Sequence, residues 1–203
     1  MVQEGLARGG SRIREPRSRG RHRSREFDVR ILESAIAELC ERGVAGLTFD
    51  RLAIEAGVAK TTIYRRWANK FDLIIDSIDL LRSRSPVPDT GNLRADLETG
   101  LDNMLNTFGS SQGRAIRAVY LQCPYNEELN RAWQEKIAGP HQAAFRAVFE
   151  RGLALGQIHL MIDIDDAIAL IAGVAFLALV GEAPVRPGLA HGVVATLLDG
   201  MSV

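Results

Sequence analysis

The chain is poor in the residues that build disulfide scaffolds, metal centres and membrane spans. It has two cysteines in 203 residues, Cys40 and Cys123, far apart and each in an apolar helical context. Thiols so placed exclude a disulfide framework and a paired-cysteine zinc site, and they suit a reducing cytoplasm. The four histidines (His22, His141, His159, His191) are scattered, and no two have metal spacing. There is no Gly-rich phosphate loop and no Gly-x-Ser-x-Gly elbow. Nothing here supports catalysis, so the expectation is no enzyme activity, no cofactor and no metal. The longest apolar run, Ala167 to Val180, has 14 residues, short of the ~20 that span a bilayer. The N-terminus lacks the apolar stretch of a signal peptide. Asp163, Asp165 and Asp166 sit where a helix starts, which suits capping better than metal binding.

Net charge is zero, but it is unevenly spread. Residues 1–85 hold 17 Lys+Arg against 12 Asp+Glu, a net of +5, and residues 86–203 hold 8 against 13, a net of −5. A basic front half on a neutral protein is the footprint of a chain that touches nucleic acid at one end. Within residues 1–25 lie eight arginines against Glu4 and Glu15. Gly, Ser and Pro fill much of the rest and no hydrophobic period exists, which predicts a tail that is disordered when free. Such a tail is either a solubilising extension or an arm that adds phosphate or minor-groove contacts.

Apolar content of 46% fits a globular fold, and the periods are helical throughout. Phe27, Ile31, Ala35, Ile36, Leu39 and Cys40 recur at steps of three and four, predicting a helix over 26–42 that Gly43 ends. Thr48 can cap a short helix over 50–55. Ala56-Gly57-Val58 then makes a turn, and a second short helix over 60–67 carries Lys60, Thr61, Thr62, Tyr64, Arg65 and Arg66 around a buried Ile63. Two short helices joined by a Gly-containing turn, the second rich in basic and hydroxyl side chains, form a DNA-binding helix-turn-helix. Arg65 and Lys60 are long enough to reach guanine O6 and N7 in the major groove. Asn69-Lys70 opens the next helix, offering a helix N-terminus and a cation to a phosphate.

This stretch resembles the tetracycline-repressor (TetR) family of transcriptional regulators in Leu47-Thr48, Ala53, Ala56-Gly57-Val58, Thr62-Ile63-Tyr64, Trp67 and Asn69-Lys70. Family members commonly carry Phe where this chain has Trp67. The resemblance implies an all-α homodimer with an N-terminal three-helix DNA-binding domain and a C-terminal domain for ligand and dimerisation. It also implies that Thr48, Thr62, Tyr64 and Lys70 hold phosphates while Lys60, Thr61 and Arg65 read bases.

A further helix over 71–84 links the basic head (26–70) to the rest (71–203), and Pro86-Val87-Pro88 stops it. A helix is a stiff connector, so a tilt at one end reaches the other. Helices are then expected over 93–108 and 114–122, and over 127–155 with an interruption at Gly139-Pro140. Ala167 to Val180 is apolar nearly all round. With the stripe Leu189, Val193, Val194, Leu197 and Leu198 it leaves more apolar surface than one subunit covers, which predicts two-fold pairing through the last two helices. Met104, Phe108, Tyr120, Trp133, Phe145, Phe149 and Phe176 are candidates to line a ligand pocket, with His141, Gln122, Asn126 and Gln142 setting orientation. Few charges fall in these stripes, so the expected ligand is apolar or aromatic.

The expected partners are therefore double-stranded DNA, a second copy of the chain and a small effector, with no membrane. The leading expectation is a repressor released from a palindromic operator by that effector. The alternative is a DNA-binding regulator without a small ligand, which predicts a packed C-terminal core with no cavity.

Overall fold

The computed structural model describes residues 18–158, 163–181 and 185–199, with side chains from residue 25 onward. Ten α-helices follow one another and no strand occurs among the described residues. They are α1 (Ser18–Gly46), α2 (Phe49–Glu55), α3 (Lys60–Tyr64), α4 (Lys70–Ser83), α5 (Leu93–Gly109), α6 (Gly113–Tyr120), α7 (Glu127–Trp133), α8 (Gly139–Ala154), α9 (Ile164–Val180) and α10 (Leu189–Asp199). None is long and apolar enough to cross a membrane among the described residues.

Local chemistry sets most of these bounds. The first helix starts at Ser18 rather than Glu26, so residues 18–25, expected to be disordered, are helical; the earlier part of the tail lies outside the described residues. Arginine is a good helix former, and extending a nucleated helix costs little. Gly43, at φ 63° and ψ −170°, breaks the ladder near the other end and α1 resumes briefly to Gly46. Side-chain caps start four later helices. Thr48, Asn69, Asn92 and Asn126 each accept an N–H three residues on. Asp163 caps α9 by accepting the N–H of Asp165, two residues on, which accounts for that acidic cluster. The α4–α5 loop is pinned by buried Asp96, whose carboxylate accepts from the backbone of Thr90 and Gly91 and from the Thr90 hydroxyl.

The segment after α7 does not break. Residues Gln134–Ala138 form a π-turn that carries the chain into α8. Pro140 offers no N–H, and its ring would clash with the carbonyl of Lys136 in a regular α-ladder. The ladder widens instead, and Gly139 donates its N–H to Gln134 O, five residues back. A Cβ at residue 139 would stand 2.9 Å from that same oxygen, so glycine is the residue that fits.

The apolar core has two parts. One runs through α1–α4 (Ile31, Leu39, Leu52, Ile63, Ile74) and continues without interruption into Val119, Leu129, Trp133 and Ile137. The other joins α5, α8, α9 and α10 around Leu97, Leu101, Phe149, Ile171 and Val194. Burying one such side chain stabilises the fold by ~1.5–3 kcal/mol. Because α6 packs on α1 while α7 and the π-turn pack on α4, the head and the C-terminal helices share packed surface.

Candidate nucleic-acid interface and adjoining cavity

The turn between α2 and α3 is held from below. Gly57 takes φ 63° there, and Arg30 of α1 donates to Ala56 O at 2.7 Å, closing the corner. Arg30 is thus a support of the turn. Ile63 is fully buried and fixes which face of α3 points outward. That outward face carries Lys60 and Tyr64, then Thr61 and Arg65, each pair four residues apart and so adjacent along the helix. All four are exposed. Tyr64 stacks edge-on against Phe49 of α2, with centroids 4.8 Å apart. Lys60 Nζ lies 5.6 Å from the Tyr64 ring centre and 2.5 Å from Asp50 Oδ1. The hydrogen bond to Asp50 holds the Lys60 ammonium above its usual pKa, so it is charged at any physiological pH. Exposed ion pairs are worth little, and a phosphate or base edge can take the place of Asp50. Thr48 is exposed beside them, its oxygen accepting from Arg51 N at 3.4 Å.

Four other residues expected at this surface are engaged elsewhere. Arg66 turns back after the short α3 ends and pairs with Asp28 of α1. Asn69 caps α4, and its amide donates to Glu128 of α7. Thr62 is half-buried, and its carbonyl accepts from Arg66. Lys70 Nζ donates to Val44 O at 3.0 Å, satisfying a carbonyl left free by the end of α1 at Gly46. Arg66 and Asn69 are therefore struts of the head. Helix α3 is only five residues long, so the chain has turned by residue 66.

A cavity of about 260 Å³ opens among α4, α5, α6, the π-turn, α8 and α9. Of the candidate lining residues, Met104, Phe108, Tyr120, Trp133, His141 and Phe176 do face it. Tyr120 stacks with both Trp133 and Phe176, with centroids 5.4 and 5.5 Å apart. Phe145 and Phe149 do not reach it; they are buried in the second core, where Phe145 packs beneath Gly100. Of the polar candidates, Gln142 lines the cavity, whereas Asn126 is spent capping α7 and Gln122 is outside the lining. Sequence reasoning missed Arg82, Ser85, Thr107 and Gln134, which complete the polar part of the wall. Arg82 sits four residues beyond Ile78, another lining residue, so the face of α4 carried the signal.

The cavity and the head are connected by one carboxylate. Asp76 of α4 accepts from Trp67 Nε1 at 2.9 Å and from Lys136 Nζ at 2.9 Å. Trp67 is the buried aromatic just after α3, and Lys136 lies within the π-turn whose Gln134, Ile137 and Ala138 line the cavity.

Beside the cavity, and sharing Ala172 and Phe176 with its wall, α9 leaves an apolar stripe uncovered. Ala169, Leu170, Ala172, Gly173, Phe176 and Leu177 are exposed. Helix α10 buries Ala190, Val194, Leu197 and Leu198 within the chain and presents less apolar surface. The excess of apolar surface expected from the last two helices therefore lies mainly on α9.

Comparison with known proteins agrees with this architecture. Residues 31–76 match the family described as bacterial regulatory proteins, tetR family, and residues 87–197 match the tetracyclin repressor-like C-terminal domain. The HTH-type transcriptional regulator YdeS of Bacillus subtilis is 32% identical over 162 residues, covering 79% of this chain and 82% of that protein. The DNA-binding transcriptional repressor TetR of Mycobacteroides abscessus is 28% identical over 135 residues, 66% of this chain and 71% of that one. Among solved structures, the TetR family transcription regulator SCO0332 superposes with a TM-score of 0.69 at 27% identity, over 88% of this chain and all of that one.

Proposed function

The chain belongs to the TetR family of bacterial transcriptional regulators, non-enzymatic proteins that bind DNA and function as dimers, and from that premise we propose a repressor released from a palindromic operator by a small, largely apolar effector. Thr61, Arg65 and Lys60 enter the major groove from α3 and read base edges. Thr48, Tyr64 and Lys70 hold the flanking phosphates, with Thr62 behind them. Lys70 does so by exchanging Val44 O for a phosphate oxygen. Two copies pair through the apolar stripe of α9 with α10 beside it, which sets the spacing of the two heads. The protein acts in the cytoplasm, where its DNA is.

The observation that carries the effector part of this reading is that the wall of the cavity and the support of α3 are the same pieces of chain. Helix α4 and the π-turn line the cavity and, through Asp76, hold Trp67. A guest that spreads α4 from the π-turn would strain that link and tilt the head. Such a guest favours release only by as much as it binds the tilted state better. The alternative of a regulator without a small ligand predicted no cavity, and the aromatic-walled cavity argues against it.

The test is footprinting on genomic fragments retained by the purified protein. The reading expects protection of two inverted half-sites about 34–36 Å apart, centre to centre. Protection without inverted symmetry, or equal affinity for random DNA at the same salt, would refute it.

A further inference from the structure

We propose that the effector carries a single acidic group, a carboxylate or an acidic phenol on a body of about one substituted aromatic ring, and that Arg82 and His141 receive that group. This rests on the reading of the cavity as an effector site and narrows the chemistry of its guest.

Size comes first. At roughly 30 Å³ per water-sized atom, a cavity of about 260 Å³ takes a guest of about nine non-hydrogen atoms, with more extending toward its mouth. Phe108, Tyr120, Trp133 and Phe176 bring four aromatic rings to the wall. A flat ring satisfies them by edge and face contacts.

Charge decides the rest. Among the described residues no Asp or Glu lines the cavity, and its ionisable lining groups are Arg82, His141 and Tyr120. Arg82 is always charged. Its Nε and Nη2 both point at one oxygen of Asp79, at 2.7 and 2.6 Å, which uses two of its five N–H donors. The remainder have no partner among the described residues, in a wall that is otherwise apolar or neutral. A guanidinium with spare donors is matched by a carboxylate, which accepts charge-assisted bonds in a fixed geometry.

His141 sits across from it at the start of α8. Its Nδ1 is 3.3 Å from Ile137 O. A carbonyl can only accept, so Nδ1 carries a proton and Nε2 is left for the cavity. Burial is the main effect and lowers the His141 pKa; the hydrogen bond to the Ile137 carbonyl opposes it, and the Arg82 charge lowers it again by more than Asp79 raises it. The charged groups facing His141 thus come from α4 (Arg82 and Asp79), while the lining residues of α5, α6 and α9 add only Tyr120. The empty site holds a guanidinium with spare donors, its charge partly offset by Asp79 behind it, and an imidazole whose neutral form burial favours. An incoming anion offsets the repulsion from Arg82 and lets His141 take up a proton, so a second donor forms as the guest binds. A neutral guest gains neither interaction, a cation meets Arg82, and a multiply charged anion finds one guanidinium only.

The experiment compares 4-tert-butylbenzoate, its amide and 4-tert-butylbenzylamine by titration calorimetry on the full chain. The carboxylate should bind about ten- to a hundredfold more tightly than the amide, the worth of charge-assisted bonds in a buried site, and the amine should be weakest. Carboxylate affinity should rise as pH falls from 8 to 6, with net proton uptake in buffers of different ionisation enthalpy, while the amide stays level. Arg82→Gln, checked for folding by its melt, should bring carboxylate and amide together. The comparison in the unaltered protein needs no variant. Equal binding of acid and amide, or preference for the amine, overturns the acidic-guest inference and leaves the cavity as an effector site. Failure of all three probes to bind overturns both.

Discussion

Removing the Asp76 carboxylate tests the link between cavity and head most directly. Trp67 is 5% exposed and its indole N–H has Asp76 Oδ2 as acceptor, 2.9 Å away. In Asp76→Ala that N–H loses its acceptor in a buried setting, a cost of about 1–3 kcal/mol. The other half of the link is weaker. The Asp76 and Lys136 side chains are 37% and 49% exposed, so solvent screening holds their pair to about 0–1 kcal/mol. Asp76→Asn keeps a carbonyl acceptor for the indole and loses only the pair, so it should cost under about 1 kcal/mol. The hydrogen bond to Asp76 raises the Lys136 pKa above 10.5. A raised pKa means the pair's contribution is complete below pH 10.5 and fades only as pH climbs through the higher folded value. Melts at neutral pH and fixed protein concentration therefore see all of it. At about 2–4 °C per kcal/mol for a chain of this size, the alanine variant should melt several degrees lower and the asparagine variant within a few degrees of the parent. In a Trp67→Phe background, which has no indole donor, Asp76→Ala should lose most of its effect. Equal melts for Asp76→Ala and Asp76→Asn, or additivity with Trp67→Phe, would refute the argument. Asp76→Asn should also need more effector for the same operator release, since Lys136 no longer pulls on α4.

Arg65→Ala should lower operator affinity by about 1–3 kcal/mol and relax preference at one base pair, by gel shift against single-base variants of the footprinted site; uniform weakening on all sequences would make Arg65 a phosphate contact instead. Leu177→Asp puts a charge into the α9 stripe at a side chain 67% exposed in one chain; sedimentation should show monomers and operator binding should collapse, whereas an unchanged dimer would place the interface elsewhere. Burial pushes the Cys123 thiol up to about 11 from 9.0. It should resist iodoacetamide at pH 8 in the folded protein but not in urea, and its raised pKa costs the fold nothing below pH 9 and progressively more toward pH 11, as the unfolded chain ionises first; fast native labelling of Cys123 would contradict the burial. Gly139→Ala presses a Cβ onto Gln134 O, now 2.9 Å from that position. The π-turn must shift, and effector release should be impaired with operator binding retained; full effector response in that variant would dissociate the π-turn from signalling.

The fold was legible where chemistry is local. Caps at Thr48, Asn69 and Asp163, the stop at Gly43 and the apolar stripes all act over three to seven residues, and such periods survive in a single sequence. The start of α1 was missed because Arg-rich, Gly- and Ser-bearing segments look alike in composition whether helical or not. The candidate site was legible as a chemical inventory and less so as a surface. Residue type cannot distinguish an outward arginine from one that returns to its own domain, and Arg65 and Arg66 differ in just this way, separated by the end of a five-residue helix. Likewise Phe145 and Phe176 have equal claims on a pocket by type, yet Phe145 fills the space left by the missing side chain of Gly100. Arg82 was overlooked because its helix was considered as a connector and not as a wall.

The placement of Gly139-Pro140 ties these pieces together. In a regular α-helix from Glu127 to Ala154, residues 134, 137, 138 and 141 share one face, and Lys136 stands about 100° from its neighbour 137. Those same residues line the cavity, and Lys136, off that face, is presented to α4. A helix without the proline would satisfy one more hydrogen bond, and thus be locally more stable, but the chain beyond the turn would be rotated relative to α4. The π-turn thus serves two surfaces at once, the cavity wall and the Lys136–Asp76 contact. That is what an element needs if occupancy of the cavity is to be felt at Asp76. On the proposed reading, a guest that pushes on Ile137 or His141 would be felt at Asp76 through the Lys136 contact, and from there at Trp67.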